Sequence, residues 1–469
     1  MQNACPQWAN ANLGNSPVFQ TIDIGHETHV AVIQPDTAFW TLVRKEKLAG
    51  LLGSAEFVSA FQAKSAEFAK EMTDLRFNLK PSAVYFNPTE RCNLNCTYCY
   101  IPDEMRKHGP HMSKEQVEDA LQRLLAYFRA TLPAGRKPQV VFHGSEPMLN
   151  REAVFHGIAK FKGDFHFGIQ TNATLLDDEA IAFLKASKIG VGISIDGPLA
   201  GIADQNRRDW SGKGYFEQVV NVIGKLNDHP GFAVICTVTQ DNLPHLKETA
   251  ELFHERGVRT CMFNIVRCTQ PRSRTVRPAD DLATAQAYIE CLEHTHALYK
   301  KTGRKMVVAN FANILLAILA PASRRLMCDI SPCGGARCFF ALAANGDMFP
   351  CSEFVGIPEY KGANLFETPD AIPAAFASAP FQKVATRQTE KIPHCRTCAI
   401  QHFCGSPCPA EAANMNGGMD QPGAYCTFYQ EQVRYAFRLI AEGRENDFLF
   451  DNWDKDTSVS FDASSFALA

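Results

Sequence analysis

"NPTERCNLNCTYCYIP", residues 87–102, puts Cys92, Cys96 and Cys99 into eight positions with the spacing C-x3-C-x2-C. A tetrahedral structural zinc site wants four ligands, usually as two C-x2-C pairs. Three thiolates from one loop suit a [4Fe–4S] cluster held at three corners, whose remaining iron stays open to a substrate or cofactor.

The rest of the chain narrows the setting. It has 469 residues, enough for two or three domains, and a formal net charge of −3 from 47 basic and 50 acidic side chains. That balance gives no electrostatic footprint for nucleic acid or an acidic membrane. The richest apolar run, "FANILLAILA" (311–320), is too short to cross a bilayer and reads as a buried helix. The opening "MQNACPQWANANLGN" lacks a basic segment followed by an apolar core, so a cytoplasmic protein is expected. In a reducing compartment, 17 cysteines argue for metal ligation or catalysis rather than disulfides. Three lie at 92–99, four at 328–351 and five at 395–426. Cys5, Cys236, Cys261, Cys268 and Cys291 are scattered and read as buried small hydrophobes.

Short apolar runs alternate with amphipathic stretches. The runs are "AVYFNP" (83–88), "QVVFHG" (139–144), "FHFGIQ" (165–170), "GVGISID" (190–196), "FAVICTV" (232–238) and "TCMFNIV" (260–266). The stretches include "SKEQVEDALQRLLAYFRA" (113–130), with Ser113 as N-cap and Gln116 completing a capping box. Six strand–helix units predict an α/β fold with a parallel sheet and right-handed crossovers, a partial, open (β/α)6 barrel. Ligand sites in such sheets collect at the C-terminal strand ends. Cys92–Cys99 follow the first strand, "HGSEP" (143–147) the second, "QTNATLL" (170–176) the third and "SIDGP" (194–198) the fourth.

With these features the sequence resembles the radical S-adenosylmethionine (radical SAM) superfamily, whose members carry this cysteine spacing after the first strand of a partial barrel. Tyr98, the aromatic residue before the last cysteine, fits that pattern. The resemblance implies that the open iron chelates SAM through its methionine amino and carboxylate groups. "GSEP" is similar to the family's Gly-Gly-Glu-Pro motif, with Ser145 in place of the second glycine. Gly144 would let the backbone approach the SAM amino group, and Glu146 would accept from it. Asn172 and Ser194 are expected near the ribose or carboxylate, with Asp196 close by, although Asp196 reads equally as a turn cap. Arg207 is expected to pair with the SAM carboxylate, and Arg208 is the neighbouring alternative. In the family, one electron from the cluster cleaves SAM to methionine and a 5′-deoxyadenosyl radical, which abstracts a hydrogen from an unactivated carbon.

The C-terminal cysteines read C333-x4-C338-x7-G346-x4-C351, then C395-x2-C398-x5-C404-x3-C408, then C426. This is similar to the SPASM extension of radical SAM enzymes, which implies two auxiliary [4Fe–4S] clusters. One would take Cys395, Cys398, Cys404 and Cys426; the other would take Cys333, Cys338, Cys351 and Cys408. Cys328 could replace Cys333 or Cys338. "ANGDMFPC" predicts a hairpin turning at Asn345-Gly346 that delivers Cys351. A zinc ribbon at 395–426 is the competing reading.

Auxiliary clusters imply a peptide or protein substrate and a reducing partner such as flavodoxin or ferredoxin. Ribosomal-peptide maturases that form thioether or related crosslinks are one sub-family. Anaerobic sulfatase-maturing enzymes, which oxidise Cys or Ser to formylglycine, are the other. The latter carry an aspartate after the cysteine matching Cys351, whereas this chain has Ser352, with Glu353 one place further on. On an extended segment Glu353 would face away from Ser352, so it is a weak candidate for the catalytic proton acceptor. A non-catalytic iron–sulfur electron carrier is the reading outside enzymes. The expected divisions are an N-terminal extension at 1–80, a barrel at 81–305, a SPASM region at 306–430 and a helix with tail at 431–469. In the extension, "THVAVIQPDTAFWTLV" (28–43) predicts a hairpin followed by two helices. Its order fits a leader-peptide recognition module of three strands and three helices, where an exposed strand edge could capture a leader. The tail from about 445 is expected to be loosely ordered.

Overall fold

The computed structural model describes residues 10–11, 19–52, 54–405 and 407–454. Its first four strands, β1 (Asn10–Ala11), β2 (Phe19–Ile22), β3 (His29–Gln34) and β4 (Phe39–Arg44), form an antiparallel sheet in chain order. The predicted hairpin is β3–β4, closed around Gln34↔Phe39. Helices Leu48–Leu52 and Ala55–Thr73 follow, the second capped by Ser54, whose hydroxyl accepts from Phe57 N. The sheet has four strands, the predicted hairpin and two more, against three in the module it was compared with. Phe19, Phe39 and Phe61 form an edge-to-face cluster between its face and the long helix.

The six apolar runs are the next six strands: β5 (Ala83–Phe86), β6 (Gln139–Phe142), β7 (His166–Thr171), β8 (Gly190–Ser194), β9 (Phe232–Val238) and β10 (Thr260–Ile265). All pair in parallel in chain order. Their residues are buried on both faces because helices cover the outside. The helix Lys114–Thr131 shows how: Val117, Leu121, Leu124 and Phe128 recur at three- and four-residue intervals and are all buried. Each such side chain contributes about 1.5–3 kcal/mol on burial. Ser113 and Gln116 form the predicted capping box.

Strand β11 (Val307–Val308) pairs with β10 at one edge. At the other edge the C-terminal region joins the same sheet. β12 (Phe339–Leu342) runs parallel to β5, and β13 (Met348–Phe349) closes the predicted hairpin. Gly346, at φ +89° in the turn, leaves no room for a side chain beside Phe366. One sheet therefore contains residues from both sides of the expected boundary at 305/306.

Among the side-chain bonds that dock the N-terminal module are Trp40 Nε1 to Ile318 O, Gln20 Nε2 to Thr397 O, Gln401 Nε2 to Pro35 O and Arg434 Nε to Asp23 O. The chain beyond 445 departs from the loose tail that was expected. Phe448, Leu449 and Phe450 are buried, and Phe448 stacks on His296. Residues 455–469 and Cys5 lie outside the described residues. Among those described, no helix is long and apolar enough to cross a membrane.

Candidate functional site

A cavity of about 430 Å³ opens at the C-terminal ends of β5–β10 and reaches into the C-terminal region. Cys92, Cys96 and Cys99 line one end. Cys328, Cys333, Cys351 and Cys408 line the other. Gly144, Ser145, Asn172, Ser194, Arg207 and Tyr98 are on the same wall as the first set, and Glu353 is near the second.

The loop holding the first three thiols is fixed from several sides. Arg106, 2% exposed, donates to Leu94 O and Ile101 O, and Trp210 Nε1 donates to Cys92 O. Glu90 receives Ala344 N at 2.7 Å, tying this loop to the β12–β13 turn. Around Cys92 Sγ are Leu94 N at 3.4 Å and Asn172 Nδ2 at 3.9 Å. Burial pushes the thiols up, Cys99 to about 11, and Cys92 is raised further by neighbouring Cys96. Adjacent buried thiols become thiolates only where positive charge lies among them, which is what cluster irons supply.

Gly144 follows β6 with φ +95°, and a Cβ there would lie 2.2 Å from Asn87 Cγ. Only glycine permits that approach of backbone to cavity. Ser145 Oγ donates to Glu90 O at 2.7 Å, so the family's usual glycine is replaced by a loop brace. Asn172 Nδ2 donates to Asn93 Oδ1 at 2.9 Å while its own Oδ1 receives Thr174 N and Oγ1. Arg207 Nη1 donates to Tyr98 OH at 2.6 Å and lies 3.8 Å from Asp196 Oδ2. Arg208 is turned outward and donates to Asp204 O.

Two of the expected SAM contacts, Glu146 and Asp196, are not among the residues lining the cavity. Glu146 is fully buried behind the wall. Its carboxylate accepts from Met148 N (3.0 Å), Thr171 Oγ1 (2.7 Å) and Asn172 N (2.8 Å), which ties the strand ends together. Burial raises its pKa, against the pull of those donors. Asp196, 2% exposed, accepts from Tyr98 OH and from Thr237 N. It anchors the Tyr98–Arg207 pair from below the cavity.

In the C-terminal region the candidate cysteines differ in position. Cys338 is 1% exposed among Met327, Ile330 and Phe339, in an apolar cluster against which Cys328 and Cys351 also pack, and it is off the cavity wall. Cys328 lies on that wall with Cys333 and Cys351. The tight helix-capping turn at Gly405 (φ +65°) packs against Asp329–Ile330, where a Cβ would sit 2.6 Å from Ile330 N. That contact brings the loop of Cys408, itself left-handed at φ +55°, to Cys328. A second, smaller cavity of about 30 Å³ is lined by Cys395, Cys398, Cys404 and Cys426, with no Asp or Glu on its wall. Four thiols with no carboxylate among them suit an iron–sulfur cluster. Among the described residues no three His, Cys, Asp or Glu side chains converge as around a single metal ion.

After Cys351 the chain turns immediately into a 3-10 segment, Ser352–Phe354. Both Ser352 and Glu353 therefore face the cavity, contrary to the alternation expected of an extended segment. Glu353 accepts from Thr269 Oγ1 at 3.1 Å. Burial raises it to about 7, opposed by Arg267. The sequence reading missed His143, Tyr100, Gln170, Arg267 and Thr269. His143 and Gln170 open the strand-end segments "HGSEP" and "QTNATLL" without a role assigned to them, and Arg267 follows the last strand of the six.

Known proteins are similar to this chain. The family model of the Radical SAM superfamily matches residues 86–253. An uncharacterized protein of Archaeoglobus fulgidus is 36% identical over 413 residues, 88% of this chain and 92% of its own. A cysteine-type anaerobic sulfatase-maturating enzyme of Clostridium perfringens is 24% identical, covering 77% and 98%. The subtilosin biosynthesis protein AlbA of Bacillus subtilis is 25% identical, covering 72% and 69%. The solved structure of anSMEcpe with bound AdoMet shares the fold, with TM-score 0.67 at 21% identity over 78% of this chain and 99% of that one. The chain belongs to the radical SAM superfamily. A [4Fe–4S] cluster and SAM come with that membership.

Proposed function

We propose that this chain oxidises a side chain of a ribosomal peptide, forming a thioether or related crosslink. The observation that supports the reading is the shared cavity, with one thiol set and the glycine–arginine wall at one end and a second thiol set at the other. When bound, SAM and its cluster supply a hydrogen-abstracting radical. Cys92, Cys96 and Cys99 would hold that cluster. Gly144, Ser145, Asn172, Ser194, Arg207 and Tyr98 would orient SAM, with Arg207 pre-set by Tyr98 and Asp196 to face a carboxylate. Cys328, Cys333, Cys351 and Cys408 would hold one auxiliary cluster, and Cys395, Cys398, Cys404 and Cys426 the other. Glu353, at the substrate end, would take the proton released as the side chain is oxidised. A low-potential partner such as flavodoxin or ferredoxin would deliver electrons. The N-terminal module would bind a leader peptide along β4, whose outer edge has no strand partner among the described residues.

A second reading, formylglycine formation on a sulfatase-type Cys or Ser, is favoured by one observation. Glu353 reaches the cavity from next to the position where those enzymes carry their aspartate. Anaerobic incubation of the reconstituted enzyme with SAM separates the two. Loss of two hydrogens from a Cys-containing peptide encoded beside the gene, with a sulfatase-type peptide untouched, is the expected mass-spectrometric result. An aldehyde on the sulfatase-type peptide would instead establish the second reading.

A further inference from the structure

In each cysteine set of the C-terminal region, one sulfur has a defined neighbour. In the inner set, Cys333 Sγ receives a backbone amide, Gly335 N at 3.4 Å, inside the protein. In the outer set, Cys426 Sγ lies 3.5 Å from Gln430 Nε2 and 3.7 Å from His394 Nε2. Gln430 is held one helical turn along from Cys426, on the helix Cys426–Glu442. His394 is exposed and directly precedes Cys395, another sulfur of the same set. Both side chains also line the small cavity.

We propose that His394 is a positioning residue that donates its Nε2–H to Cys426 Sγ and raises the reduction potential of the outer auxiliary cluster. An N–H directed at a ligating thiolate withdraws electron density from it and stabilises the reduced, more negative cluster. Because the donor sits on a solvent-exposed ring, this cluster's potential would respond to what contacts the surface there. The inference rests on the assignment of Cys395, Cys398, Cys404 and Cys426 as one cluster's ligands.

The test uses the full-length reconstituted enzyme with three variants, H394F, H394N and C426A. Iron content and EPR-monitored redox titration are read for each. H394F keeps the ring volume without an N–H; H394N restores a donor. Expected are wild-type iron in H394F with a more negative midpoint for one cluster signal, and partial return of the midpoint in H394N. Full iron with an unchanged midpoint in H394F overturns the inference. Loss of a cluster's iron from H394F overturns it too, since His394 would then be needed to hold the cluster rather than to tune it. If C426A loses no iron relative to wild type, the ligand assignment itself fails, and the inference with it.

Discussion

Glu146 offers the sharpest test of the site, because sequence and structure give it different work. Replacing it with alanine removes the acceptor of three buried donors, Met148 N, Thr171 Oγ1 and Asn172 N. A buried donor left without a partner costs about 1–3 kcal/mol. Three of them, with some recovered by water entering the vacated volume, give an expected loss of about 3–6 kcal/mol. Glu146→Gln keeps an acceptor oxygen but turns its amide toward one of the donors, so about 1–3 kcal/mol is expected. The assay is anaerobic urea unfolding of both variants, followed by circular dichroism, with SAM affinity measured on the fraction that remains folded. The midpoint should fall strongly for E146A and less for E146Q. A wild-type midpoint for E146A, combined with weakened SAM binding, would refute the bracing role and return Glu146 to the ligand.

Three further outcomes follow from the geometry. Arg207→Met should retain cluster iron but weaken SAM binding about 10- to 100-fold, the worth of one charge-assisted bond, whereas Arg208→Met should match wild type in calorimetric titration. Cys328→Ala should lose about four irons per chain and Cys338→Ala none, as read by iron analysis and visible absorption. Burial holds the His143 imidazole down at about 4, so it stays neutral while the unfolded chain's histidine titrates near 6.5. Below 6.5 the unfolded state binds the extra proton, so His143 should cost stability as pH falls from 6.5 to 4, at most about 3 kcal/mol in all. His143→Phe should flatten that part of a stability-versus-pH curve, unless the imidazole is charged in the fold.

The half-barrel was readable because its strands are buried on both faces, which writes each one as an unbroken apolar run. The first thiol set was readable because three ligands on one loop fix one another's spacing in the sequence. Roles decided by tertiary contact were not. Glu146 and Asp196 stand at strand ends beside ligand-facing residues, and nothing local distinguishes a carboxylate that reaches into a cavity from one that ties strands together. Cys328 and Cys338 flank Cys333 at similar distances, and the choice between them depends on a loop some seventy residues later packing through Gly405. The inward turn of Glu353 required a 3-10 segment that "CSEF" does not announce. The burial of Phe448–Phe450 depends on the helices beneath them, which a polar tail composition conceals.

The pairing of β5 with β12 bears on how the chain reaches its native state. β5 is the first strand of the barrel to leave the ribosome, and its neighbour on that side arrives more than half the chain later. Until then β5 presents a bare row of amides and carbonyls, the kind of edge at which chains pair wrongly with one another. Closing so long a loop is also slow. Final assembly of the barrel and insertion of the sulfur-bearing C-terminal region are thus coupled late events, and a chain stalled or cut before residue 339 would keep its most adhesive edge exposed.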